Sequence, residues 1–405
     1  MRIAASCLVL VLVLGSGCGS TSTADPAPPA ADAGADAPAV SPCDAVAPAA
    51  LAIDAAGPDS QIHVIGAYSA GRLFVAYNRP KAGAQTFDVF LTAFGCDGTP
   101  VFPPVRVNDD ADNDVDPSLA IAGDTVLVSW AGDATGQDPN LHLQTRAFDR
   151  QGAPLGPPRT FTGPRRALQQ TKFNIWQGSL SPLGTGFALA GAWGVDDAPA
   201  FQAFGARLDA QGAPTGDAFD LGFDAGTTQT SIDVASSGTN AWAAWLVEPN
   251  MTDGMAVATA RFGIAGATTP GPRIENAGSP IVATLDTTAW VVAQRGTKDV
   301  VLQRLDTAGA PVVHVGKGAQ PALALSASGG AFASYRDAGA GRTIVLTSFD
   351  SAGAILAEKD LGVTDAAPYP LRLVRIADDV YFLAYSLGKS PALRAMGRFF
   401  DLRAK

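Results

Sequence analysis

Charge is scarce in this chain: of 405 residues, 16% are Asp, Glu, Lys or Arg, and only three are histidine. The basic sign is the scarcer one, 28 residues against 38 acidic, giving a formal charge of -10. That excludes nucleic acid as a natural partner, because phosphate binding needs a basic face. The low Lys and Glu content argues against a helical protein, and beyond the first residues no i, i+3, i+4, i+7 apolar pattern is sustained. No GxSxG, P-loop or CxxC occurs, and none of His63, His142 and His314 has a partner at short metal-ligand spacing. What the chain has in quantity is glycine, 44 residues, and proline, 29. Both punctuate short elements.

The N-terminus reads as an address. Arg2 precedes "CLVLVLVL" (Cys7 to Leu14), which is too short to span a bilayer permanently and fits a cleaved signal over residues 1–17. The run "LGSGCGS" resembles a bacterial lipoprotein signal, which implies lipidation of Cys18; Gly15 stands where that signal expects Leu. Ordinary secretion is the alternative. Residues 18–42, rich in Ala, Pro, Asp, Ser and Gly, have almost nothing large to bury and are expected to be a disordered tether. The expected location is extracytoplasmic, on the outer membrane through the lipid alone.

From Cys43 to Lys405 a pattern returns at long intervals. "RAFDRQGAP" from Arg146 comes back as "ARLDAQGAP" from Ala206, "QRLDTAGAP" from Gln303 and "TSFDSAGAI" from Thr347. The anchors Phe94, Phe148, Leu208, Phe262, Leu305 and Phe349 are each followed four residues later by Gly. Asp at the first turn position with Gly at the fourth suits a type I turn closing a hairpin. Upstream of each anchor runs a β-rich segment ending at Tyr77, Trp130, Trp193, Trp245, Gln294, Tyr335 or Tyr385. Shorter alternating runs precede these, such as "PSLAIA" at 117 and "PALALSA" at 321. Seven units of four short strands predict an all-β, seven-bladed β-propeller. Arg207, Arg261 and Arg304 recur beside the anchor, where a repeated structural role on the third strand is expected.

The unit resembles a tandem repeat of secreted bacterial proteins, "QRFDxxGxxxGxxxxVN…PxVAxxxDGxxVVxW", best in Phe94 to Trp130. The resemblance implies an extracytoplasmic propeller and carries no catalytic residues. The last unit lacks a fourth strand, and "APAALAIDAAG" (Ala47 to Gly57) is expected to supply it, closing the ring and removing an open edge. Cys43 and Cys96 then fall close together as a candidate disulfide.

Candidate chemistry is thin. The first strands offer His63, Asp233, Arg372 and Arg375, a single acid where glycoside hydrolysis needs two; His63 is expected to be a satisfied strand residue. In "NDDADNDVD" (Asn108 to Asp116), Asp110, Asp112 and Asp114 alternate like the first ligands of a calcium loop, although Val115 stands where that loop wants Gly. Irregular loops are expected to gather Asp133, Asp138, Asp196, Asp197, Glu248 and Asp253 on one acidic rim able to steer basic partners. The reading is a non-catalytic, monomeric binding or scaffolding lipoprotein of the envelope. Its partner is an envelope protein or carbohydrate, and it has no cofactor beyond a possible calcium. Alternatives are a glycosidase or lyase with a loop-built site, and a calcium-dependent surface adhesin.

Overall fold

The computed structural model describes Cys43 and residues 50–402, apart from positions 59, 83, 85, 134–141, 162, 164–172, 196–200, 223–226, 250–253, 266–267, 297, 339–340, 364–365 and 367–368. The signal, the tether and Cys18 lie outside the described residues. Those described contain strands and turns and no helix.

Seven antiparallel meanders form the protein. Blade 1 comprises Ile62–Ser69, Arg72–Pro80, Phe87–Gly95 and Pro100–Arg106; blade 2, Asn113–Ala122, Thr125–Asp133, His142–Phe148 and Arg159–Phe161. Blade 3 comprises Phe173–Leu183, Gly186–Val195, Gln202–Leu208 and Phe219–Asp220. Blade 4 has Thr227–Ser237, Asn240–Pro249 and Ala256–Gly263, with an outer strand broken into Thr269–Pro270 and Ile274–Glu275. Blade 5 runs through Ala277–Leu285, Thr288–Arg295, Asp299–Arg304 and Val312–Lys317, and blade 6 through Ala319–Ser326, Gly329–Ala338, Gly341–Asp350 and Ile355–Asp360. Blade 7 takes Arg372–Ala377, Val380–Leu387 and Arg394–Asp401 from the C-terminus and Leu51–Ala52 from the N-terminus. Each first strand touches that of the next blade, and the seventh touches the first. This is a seven-bladed β-propeller.

The repeated turn has the expected physics. Gly152, Gly212 and Gly353 stand at φ of 81°, 78° and 87°, and each N–H donates to the carbonyl of the Asp three residues earlier. That Asp also accepts, through Oδ1, two backbone N–H groups of its own turn: Gln151 and Ala153 on Asp149, Gln211 and Ala213 on Asp209, Ala352 and Ala354 on Asp350. Asp306 departs, folding back onto Arg304 and the Ala289 N–H.

Apolar wedges between neighbouring blades make the core. Phe74, Val89 and Phe102 of blade 1 pack with Val126, Trp130 and Phe148 of blade 2, and comparable clusters fill the other gaps. The aromatics that end the repeated segments are buried, removing large apolar surfaces from water at every joint. Gln294, which breaks the aromatic pattern, ties blades differently: its Oε1 accepts the backbone N–H of Gln320 in blade 6.

Ring closure is polar as well as β-paired. Leu51 and Ala52 pair with Gly397 and Met396, and the Ile53 N–H donates to the Ala395 carbonyl. Asp54 then accepts the Tyr77 hydroxyl at 2.8 Å, while Gln61 bridges the Asp54 carbonyl and the Ala395 N–H. Cys43 and Cys96 are joined in a disulfide, with Cα atoms 5.3 Å apart, within the range a bridge requires.

Candidate binding site at the channel mouth

The first strands share an irregularity near their starts. In six blades the ladder to the second strand slips by a residue, at 62–65, 115–118, 176–178, 230–233, 278–281 and 319–322. Such bulges re-aim side chains. Within five of them, a residue that is not glycine adopts a left-handed backbone: His63 (φ 52°), Asp116 (51°), Ser231 (50°), Ser279 (49°) and Gln320 (47°). Three of these precede proline, which disfavours helical backbone and makes the conformation more strained. All five line one cavity of about 250 Å³ at the mouth of the central channel, with Asp233 and Arg372.

The charges there are compensated locally. His63 Nδ1 lies 2.6 Å from Asp116 Oδ1, and the imidazole packs against the Tyr369 ring at 5.4 Å. Asp233 accepts the Ser179 hydroxyl and the Val282 N–H, each at 2.9 Å, tying blade 4 to blades 3 and 5. Burial pushes its carboxyl above the usual range; the nearby Arg372 charge and these donors oppose that rise. Ser118 extends the same tie by accepting the Leu180 N–H. Gln320 Oε1 is shielded from solvent and has no donor. The mouth therefore presents hydroxyl, amide and paired charged groups on an apolar frame of prolines and Ile65, Ile232 and Ile281.

Several sequence expectations are corrected here. The first strand of blade 2 carries Asp114 and Asp116, so these strands hold three acids rather than one; Asp116 and Asp233 line the cavity, and His63, a residue of the strand Ile62–Ser69, lines it beside Asp116. Arg375 turns away to Asp378, at 2.6 Å. The run "NDDADNDVD" is not an open loop, because the strand begins at Asn113 and carries Asp114 into the interior. Asp114 meets Asp110 there, and its carboxyl is pushed up to about 8 by burial first, then by the Asp110 charge and hydrogen bond; Lys81 and Trp130 pull the other way. Asp110 also receives Gln144 and Asn108, each at 3.4 Å, and the Asp112 carbonyl accepts the Lys81 ammonium. Among the described residues no three His, Cys, Asp or Glu side chains assemble as a metal group. On the expected rim, Glu248 sits in the strand Asn240–Pro249, and Asp133 ends the strand Thr125–Asp133. Asp138, Asp196, Asp197 and Asp253 fall outside the described residues.

No protein-family model and no curated protein matches the chain. Solved structures do. A prolyl endopeptidase is similar at a TM-score of 0.53 and 14% identity, over 85% of this chain and 47% of that one. A Dyadobacter fermentans protein of unknown function is similar at 0.51 and 12%, over 86% and 97%. Trypanosoma rangeli sialidase, in complex with the inhibitor DANA, follows at 0.48 and 7%, covering 84% of this chain and 55% of its own length. The chain thus spans about half of the endopeptidase and of the sialidase. At these identities the likeness is one of fold.

Proposed function

We propose that the protein is an extracytoplasmic binding propeller that seats a small, neutral, hydroxyl-rich ligand, a single sugar unit, at the channel mouth. The observation that carries this is the ring of left-handed polar residues. His63, Asp116, Ser231, Ser279 and Gln320 are presented by five blades to one cavity. Strained backbone of this kind collects at functional sites. The paired charges leave the cavity rich in donors and acceptors without a dominant sign, which favours hydroxyl groups over ions. Pockets for drug-sized ligands run from about 300 to 1,000 Å³, so 250 Å³ suits one unit rather than a chain. The leader sequence supports an envelope location with lipid on Cys18.

The test is calorimetric titration with a panel of monosaccharides. One of them should bind the wild type, and Gln320→Ala and Ser231→Ala should each weaken it at least tenfold without changing Tm. A panel that gives no binding removes this reading.

A second reading, glycoside cleavage, has its own observation: Asp116 and Asp233 line the same cavity. Two carboxylates are what such chemistry requires. Asp233, its carboxyl held up by burial, would donate the proton and Asp116 would be the second carboxylate. Sugar release from chromogenic glycosides, lost in Asp116→Asn with binding retained, would support it. Binding without turnover leaves the first reading alone.

A further inference from the structure

At the far ends of the same strands lies a second and larger feature. The turn Ser237–Thr239 of blade 4 and the turn Asp286–Thr287 of blade 5 flank a cleft of about 1,200 Å³. Its origin is local. The outer strand of blade 4 stops at Pro270, and the Pro270–Gly271–Pro272 segment cannot continue the ladder. Gly271 instead lies across Trp242, where a Cβ would come within 2.7 Å of the indole and 2.4 Å of Thr259 Oγ1. The gap this leaves beside blade 5 is the cleft.

Its walls combine one aromatic with many polar groups. The Trp242 indole is half-buried and lines the cleft. Arg261, exposed, is steadied by Asn240 Oδ1 at 3.0 Å. Gln303 is 7% exposed; its Nε2 donates to the Ala310 carbonyl, but its Oε1, also shielded, has no donor. Asp306 is neutralised by Arg304 at 2.8 Å, and the remaining pair on the walls, Arg261 and Asp286, cancels in charge. The surroundings therefore select for hydroxyls around an apolar face rather than for net charge. The outer strand at this wall, Thr269–Pro270, is only two residues long and Pro270 has no N–H, which disfavours a peptide added as a strand.

We infer that the cleft between blades 4 and 5 binds a neutral oligosaccharide. One sugar ring stacks on Trp242, and its hydroxyls reach the exposed Arg261 guanidinium. This site is separate from the channel mouth and stands or falls without it.

Affinity electrophoresis of the folded protein in native gels containing neutral polysaccharides (a glucan, a mannan or an arabinan in turn) tests it. At least one should retard the wild type, and Trp242→Ala and Arg261→Ala should each weaken the interaction at least tenfold. Arg261 is exposed, so its variant reports on binding even if loss of the indole unsettles the fold. Lys359→Ala, exposed on the outer strand of blade 6 and away from both cavities, should be retarded like the wild type. The inference is overturned if none of the polysaccharides retards the protein, or if Arg261→Ala runs as the wild type does. Retention on a peptide array with no response to polysaccharide overturns it equally.

Discussion

Replacing Asp114 by Asn should change how stability depends on pH, and by a calculable amount. The carboxyl is buried between blades 1 and 2, faces Asp110, and is pushed from an ordinary 3.8 up to about 8. Between those values the folded chain keeps a proton that the unfolded chain has released. Folded-state protons exceed unfolded-state protons, so stability falls as pH rises through this window, at about 1.4 kcal/mol per pH unit. From pH 5 to pH 7 the carboxyl alone removes about 3 kcal/mol. The amide of the variant keeps the shape, is neutral throughout, and contributes no such slope. Urea unfolding of wild type and Asp114→Asn at pH 5, 6 and 7 isolates the difference, since all other groups titrate in both proteins. The gap should move in favour of the variant by about 3 kcal/mol over two pH units. Asp110→Asn should shrink the wild-type slope by removing the neighbouring charge. Profiles that stay parallel within about 0.5 kcal/mol, the usual size of a neutral surface change, would refute the assignment.

Further outcomes follow from the same structure. Cys43→Ser should lower stability by about 2–4 kcal/mol, because the bridge closes a loop of 53 residues and pins the N-terminal strand; equal urea midpoints under oxidising and reducing conditions would show that no bridge forms. Asp233→Ala leaves the Ser179 hydroxyl and the Val282 N–H without their acceptor and should cost about 3 kcal/mol, read as a drop in Tm. Gly152→Ala meets a φ of 81° and a Phe102 ring carbon at 2.6 Å, and should destabilise by more than about 1 kcal/mol. Intact mass of membrane-extracted protein should show acyl chains on Cys18; an unmodified mature terminus beyond it would leave ordinary secretion.

The propeller was legible because its information is repeated. Anchors such as Phe148 and Leu208, turn glycines such as Gly152, and buried residues such as Trp130 recur in register, each for a local reason. Closure was legible from a missing strand. The channel mouth was less so, because a bulge displaces side chains without changing composition. Asp116 was hidden inside an acidic run, and only the recurring polar–proline pairs Asp116–Pro117, Ser279–Pro280 and Gln320–Pro321 hinted at it. The burial of Asp114 was invisible for a related reason: the strand's start was not marked, and the bulge between Val115 and Ser118 breaks the alternation that would otherwise put Asp114 and Asp116 on one face. Gln303 carries no signal at all outside its folded surroundings.

The central claim is that a sugar unit sits on the ring of left-handed residues, and crystallographic difference density tests it most directly. Crystals of the folded protein soaked with the tightest-binding monosaccharide should show the ligand between His63, Asp116, Ser231 and Gln320. Density for that sugar elsewhere, with the channel mouth holding only water, would contradict the account.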